Sequence, residues 1–197
     1  MPSETSFPFA GDVQNVATTL TTKIMGRSYA IEATLEVPEG GAEGVIVANA
    51  DFIGGYALWV DEEGYLHHTY QFLGIDTYKQ TSTKPIPTGD VDVKMLFEAD
   101  EPKPGSGGRV TLLVNDEVVG EGTIPQTVSF LYTTYAGMDI GRDNRGVVDL
   151  AYEHKAPYAF TGTVKEVVFD LRPGSLAEEM ALHEHASTQE LGQGLAG

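Results

Sequence analysis

Apolar and polar residues alternate along most of this chain with a period of two. Tyr29, Ile31, Ala33, Leu35 and Val37 fall on one side, and Ser28, Glu32, Thr34 and Glu36 on the other. Such alternation predicts a strand with one face in a core, and Pro38-Glu39-Gly40-Gly41 ends it as a turn. From Gly44 to Gly74 the pattern predicts three consecutive antiparallel strands: an apolar run at Val45 to Ala48, then alternating runs at Tyr56 to Val60 and Leu66 to Phe72. The last two are joined by Asp61-Glu62-Glu63-Gly64. A glycine in the fourth place suits a type I turn closed by a left-handed bulge residue. That register pairs Trp59 with His67 and Asp61 with Tyr65. It gathers Tyr56, Leu58 and Val60 on one face with Leu66, His68, Tyr70 and Phe72, and leaves Trp59, Tyr65, His67, Thr69 and Gln71 on the other.

Further along, Asp76 to Ser82 reads as a polar edge strand running into Lys84-Pro85-Ile86-Pro87, where proline donates nothing to a ladder. Val91, Val93, Met95 and Phe97 alternate with Asp92, Lys94 and Glu98. Arg109 to Val114 and Glu117 to Gly122 form a hairpin across Asn115-Asp116, residues that tolerate the positive φ of a type I′ turn. Thr123 to Tyr135 has no clear period, and Met138 to Ile140 and Val164 to Leu171 complete the strands. Ser175-Leu176-Ala177-Glu178 opens a short helix to about His185, with a capping box at its start. Residues 1–23 read as an extended lead-in, 24–172 as the folded domain, and 173–197 as the helix and a frayed tail. About ten short strands with glycine turns every eight to twelve residues predict an all-β, two-sheet antiparallel sandwich.

The run EGVIVANADFIGGYALWVDEEGYLHHTYQFLGIDTY, from Glu43 to Tyr78, resembles the C-terminal β-sandwich domain of bacterial arylsulfatases. The similarity continues in order through GGRVTLLVNDEVVGEG (Gly107 to Gly122), MDIGRDN (Met138 to Asn144) and AFTGTVKEVVFDL (Ala159 to Leu171). The strand pattern also resembles the concanavalin A-like, or laminin-G-like, jelly roll. The resemblance implies an accessory domain that packs against a sulfatase-type catalytic domain or mediates self-association.

The sulfatase chemistry itself has no counterpart here. Those enzymes use Cys or Ser in C/S-x-P-x-R, and this chain has no cysteine. Its nearest match, Ser6-Phe7-Pro8-Phe9-Ala10, lacks the arginine. Nor does the chain carry the E-x-D-x-x-E strand of jelly-roll glucanases, in which two carboxylates flank the glycosidic bond. Glu166 and Asp170 read as solvated strand positions. The expectation is therefore a protein that is not an enzyme. Two other readings stand beside the accessory domain: a free-standing carbohydrate-binding module, and a jelly-roll polysaccharide-degrading enzyme.

Composition narrows the partners. A 197-residue chain with 41% apolar residues suits one domain, large enough for a core without disulfides. Its formal charge of −17 argues against nucleic acid, anionic membranes and sulfated polysaccharides as partners. There is no apolar run of transmembrane length and no signal-peptide pattern at the start of this chain. The compartment stays open.

Three groups of residues carry candidate chemistry. Trp59, Tyr65 and His67, on the non-core face, have the make-up of a sugar-stacking platform, or of a docking surface covered by the second sheet or another domain. Docking is the preferred reading. Asp139, Asp143 and Asn144 cluster oxygen atoms where a strand leaves the sheet. They read first as a structural turn paired with Arg142 and Arg145, and alternatively as part of a calcium shell with Asp149. No other cofactor is expected. His183-Glu184-His185 is not a zinc pair, because residues i and i+2 of a helix point about 200° apart. His68 reads as a satisfied core histidine.

Overall fold

The computed structural model describes residues 6–10, 13–14, 16–17, 21, 23–130, 132, 135–144 and 146–171. Among these residues eleven strands follow one another: β1 (Ser6–Ala10), β2 (Tyr29–Val37), β3 (Gly44–Ala50), β4 (Gly55–Val60), β5 (Tyr65–Phe72), β6 (Asp76–Pro85), β7 (Gly89–Ala99), β8 (Gly108–Val114), β9 (Glu117–Ile124), β10 (Met138–Ile140) and β11 (Thr163–Asp170). A 3-10 helix covers Leu150–Lys155. The strands build a six-stranded sheet in the order β1-β11-β2-β7-β8-β9 and a five-stranded sheet in the order β10-β3-β4-β5-β6. Every strand pairing is antiparallel. The chain is a two-sheet antiparallel sandwich, as the alternation predicts, with the jelly-roll character that the resemblance implies.

Turn chemistry sets the registers. Gly64 has φ +85°, its N–H donates to Asp61 O, and Asp61 N donates to Tyr65 O, each at 3.0 Å. The bulged turn therefore forms as expected, pairing Trp59 with His67 and Leu58 with His68. Asn115 and Asp116 take φ of 48° and 63°, the type I′ signature that matches the twist of a hairpin. β6 lies at the edge of its sheet, where its terminal proline leaves no ladder bond unmade.

Strand structure starts earlier than the alternation at Tyr29. β1 pairs with β11 from Ser6 opposite Asp170 to Ala10 opposite Glu166, and forms the outermost strand of the six-stranded sheet. Phe7 and Phe9 stand two apart, but five residues around a central proline are too short a run to read as a strand, and an edge position tolerates the missing N–H. Val16 then bridges Met138 through reciprocal backbone bonds of 2.9 and 2.8 Å. The helix expected from Ser175 lies outside the described residues.

The core sits between the sheets. Tyr56, Leu58, Leu66 and Tyr70 of the five-stranded sheet face a wall that includes Ile31, Leu35, Met95, Leu112 and Phe169 of the six-stranded one, all fully buried. Full burial of each such side chain contributes about 1.5–3 kcal/mol. Edge-on rings link the layers at Tyr56 and Phe169, whose centroids lie 6.5 Å apart. Where β6 approaches β9, glycine is required: a Cβ on Gly122 would lie 2.7 Å from Gln80 Cγ, and one on Gly120 2.8 Å from Thr81 O. Among the described residues no helix is long and apolar enough to cross a membrane.

Candidate functional site

The outer face of the five-stranded sheet carries Trp59, Tyr65 and His67 together, as the register requires. It is not an open platform. Trp59 is only 6% exposed. His67 lies flat on one side of it, with ring centroids 4.2 Å apart and planes 16° from parallel. Tyr152 and Tyr158 meet the indole edge-on at 5.1 and 6.4 Å, and Trp59 Nε1 donates to Thr69 Oγ1 at 3.0 Å. The expected cover was the second sheet or another domain. The actual cover is the chain's own segment 147–158, whose Val147, Val148, Tyr152 and Tyr158 form a second apolar cluster with Val45, Ala48, Ala57 and Trp59. Tyr65 stays half-buried at the margin.

That segment is fastened at several points. Thr69 Oγ1 donates to Asp149 Oδ2 at 2.8 Å, and Lys79 Nζ reaches the same carboxylate at 2.6 Å. Gln71 Nε2 donates to Val148 O at 2.8 Å. Tyr158 Oη donates to Glu43 Oε2 at 2.8 Å, and Lys155 bridges Glu43 and Glu62. These two carboxylates hold the Lys155 ammonium above the usual lysine range. His67 Nε2 lies 2.7 Å from Asp61 Oδ2 and Nδ1 lies 2.9 Å from Thr81 Oγ1. This line ties the β4–β5 turn to edge strand β6 as a strut.

Asp139, Asp143 and Asn144 come together where β10 leaves the sheet. Asn144 N donates to Asp139 Oδ2 at 3.2 Å. Asp143 Oδ2 accepts from Val148 N at 2.9 Å and from Tyr152 Oη at 2.8 Å. Burial pushes the Asp143 carboxyl up to about 6; these two bonds oppose the rise, and Asp139 and Asp51 add to it. Among the described residues no group of three or more His, Asp or Glu converges as a metal site. Arg145 lies outside the described residues.

Exposed apolar side chains also gather elsewhere, on neighbouring turns of the five-stranded sheet. Phe52 and Ile53, on the β3–β4 turn, are 43% and 45% exposed, and Leu73 and Ile75, on the β5–β6 turn, are 53% and 74% exposed. The turns are neighbours: Gly55 pairs with Gln71, and a Cβ on Gly74 would lie 3.8 Å from Ile53 Cα. Tyr135, exposed on the loop before β10, approaches Gly146, which in turn sits against Asp51. Ile53 N and Gly54 N donate to Asp51 Oδ1 at 2.9 and 3.4 Å, an Asx turn, and Ile75 N donates to Phe72 O at 2.9 Å. Leu73 stands in the left-handed region at φ 53°. The alternation did not single out these residues, because they lie between strands. The signal was Phe52-Ile53-Gly54-Gly55 and Leu73-Gly74-Ile75, large apolar residues in turns where polar ones are the rule.

A further shallow groove crosses the outer face of the six-stranded sheet between Glu32, Thr34, Asp92, Lys94 and Glu166. Its polar groups bond to each other, Lys94 Nζ to Glu32 Oε1 at 3.0 Å and Thr34 Oγ1 to Asp92 Oδ1 at 2.8 Å.

The fold is similar to several solved structures. One is the CBM40 of Ruminococcus gnavus IT-sialidase, solved bound to alpha2,3 sialyllactose, with 13% identity and a TM-score of 0.58 over 89% of this chain and 97% of that chain. A second is the NanB sialidase of Streptococcus pneumoniae, with 14% identity and a TM-score of 0.59 over 87% of this chain and 27% of that one. A third is the mouse laminin alpha1 chain, domains LG4-5, with 11% identity and a TM-score of 0.58 over 83% of this chain and 40% of that one. No family model and no curated protein matches the sequence. At these identities the likeness establishes the sandwich alone. The sulfatase resemblance rests on the sequence runs.

Proposed function

We propose that the chain is a non-catalytic carbohydrate-binding module whose ligand site is the loop rim of Phe52, Ile53, Leu73, Ile75 and Tyr135. The observation that carries this reading is the gathering of exposed apolar and aromatic side chains on adjoining loops at one end of a rigid sandwich. Exposed aromatic rings offer a face to the apolar side of a sugar ring, and a patch of exposed apolar side chains marks an interaction site. The alternative platform, Trp59, is covered by Tyr152 and Tyr158. The likeness of the fold to a CBM40 supports the class of ligand and does not choose the sugar.

A second reading uses the same rim as a docking surface for a neighbouring catalytic domain of the sulfatase type. It draws on the ordered sequence runs and on the aliphatic character of Ile53, Leu73 and Ile75. A glycan array with wild type, Phe52→Ala and Tyr135→Ala separates the two. Binding that both substitutions weaken sustains the module. A silent array with well-folded protein removes it and leaves the docking reading.

A further inference from the structure

We infer that the rim selects a neutral, hydroxyl-poor sugar edge, such as the C6 methyl group of a 6-deoxyhexose. This inference rests on the carbohydrate-binding reading and names the ligand chemistry of the same site.

Three observations lead to it. The first is conformational. Leu73 is a bulky, half-exposed residue held at φ 53°, where glycine or asparagine would sit with less strain. Half of its surface is open, so packing does not repay that strain. An outlier of this kind points to a side chain held in place for contact.

The second is chemical. The most exposed side chains of the two turn tips, Phe52, Ile53, Leu73 and Ile75, are hydrocarbon. The N–H groups of Ile53, Gly54 and Ile75 are already bonded within their own turns. A sugar hydroxyl pressed against these four side chains would lose water and gain no partner from them, a penalty that a methyl group escapes. The third is electrostatic. A net charge of −17 opposes carboxylated or sulfated sugars and leaves neutral ones unaffected.

The test uses the full chain and pairs of conjugates that differ only in the oxygen at C6: galactosyl against 6-deoxygalactosyl and mannosyl against 6-deoxymannosyl, in both the D and L series. Binding is measured for wild type, Leu73→Gly and Ile75→Ser. Val118→Ser, an exposed position on β9 outside the rim, is the control. The expected result is at least one 6-deoxy member held about tenfold more tightly than its parent. That preference falls in Leu73→Gly and Ile75→Ser and stays in Val118→Ser. Leu73→Gly also raises the melting temperature by about 2–4 °C through relief of strain. Stability gained while binding is lost is a signature that a purely structural leucine would not give.

Three results overturn the inference. Equal binding of both members of every pair does so, as does a preference that the rim substitutions leave unchanged. Binding elsewhere on a broad array, with neither member of any pair held, also does so while the module reading stands. If no glycan of any kind binds, the module reading falls as well.

Discussion

The His67 imidazole lies flat against the Trp59 indole, 4.2 Å away and within 16° of parallel, across one rung of the β4–β5 hairpin. Neither ring is available to a ligand on that side. The indole is closed from the other directions by Tyr152 and Tyr158 and anchored through Thr69 to the same aspartate that accepts Lys79. The aromatic residues that first draw the eye in the sequence thus build a second core outside the sandwich.

The only tryptophan of the chain reports on that cover. Tyr152→Ala removes the edge-on ring and the hydroxyl that satisfies Asp143. Loss of a buried aromatic costs about 3–5 kcal/mol, and Trp59 emission moves to the red as water enters. Tyr152→Phe removes only the hydroxyl. It costs about 1–2 kcal/mol with no change in emission. Urea titration followed by fluorescence reads both quantities, and a red shift in Tyr152→Phe would show that the hydrogen bond, not the ring, holds the segment down.

His68 gives the protein an acid limb. It is buried between the sheets, with Nδ1 2.8 Å from Gln80 Oε1, and burial lowers its pKa to about 4 against a partial rise from that bond. The unfolded chain therefore takes up the proton first, near pH 6.5. The stability tied to neutral His68 is whole above that pH, declines as pH falls, and is gone below about 4, a loss of about 3 kcal/mol. His68→Gln keeps a donor for Gln80 and removes the titration. The difference in stability between wild type and His68→Gln, measured from pH 7 to pH 4, shifts against wild type on acidification. A difference independent of pH would mean that His68 is protonated at the same pH in both states.

The hairpin carrying Trp59 and His67 was legible in the sequence because strand faces follow a period of two and Gly64 selected the bulged turn. The same holds for the Asn115-Asp116 turn and for β6 at its edge. The cover was not legible. Residues 147–158 have no repeating pattern, and what binds them is a set of single long-range bonds, Thr69 to Asp149 and Gln71 to Val148, separated by 80 and 77 residues. β1 escaped notice because Pro8 breaks a short run that only an edge position accepts. The rim escaped notice because strand periodicity gives no weight to turns. There the informative feature was composition, Phe-Ile before glycine and Leu and Ile around it.

Asp143 separates the structural reading of its turn from the calcium reading. Its folded pKa of about 6 lies above the ordinary carboxylate value. The sign is therefore opposite to that for His68: stability is full below about pH 4 and is lost as pH rises through about 6. Asp143→Asn can still accept from Val148 N and Tyr152 Oη. At pH 7 without metal it is expected to be more stable than wild type by about 1–3 kcal/mol, with the gain vanishing near pH 4. Calorimetry in chelator and in millimolar calcium checks both readings. A wild-type melting temperature that climbs by about 5 °C or more with calcium, and fails to climb in Asp143→Asn, would favour the metal over the turn.

Gly122 couples the closure of the sandwich to the chemistry of its core. Its position on β9 faces Gln80, the partner of His68, and an added Cβ would meet Gln80 Cγ at 2.7 Å and Nε2 at 3.1 Å. Gly122→Ala must therefore push Gln80 aside. Overpacking of this kind costs about 1–3 kcal/mol. It also removes the bond that holds the His68 pKa up, so the acid limb of Gly122→Ala should extend to lower pH and its total loss of stability should grow. Gly120→Ala, one inward step away on β9, meets Thr81 O at 2.8 Å instead. It should lose comparable stability with the His68 titration unmoved. Comparing the two by urea titration at pH 7 and at about pH 3.5, below the folded His68 value, tests whether the β6–β9 seam acts through Gln80 or through crowding alone. An equal pH response in both variants would assign it to crowding.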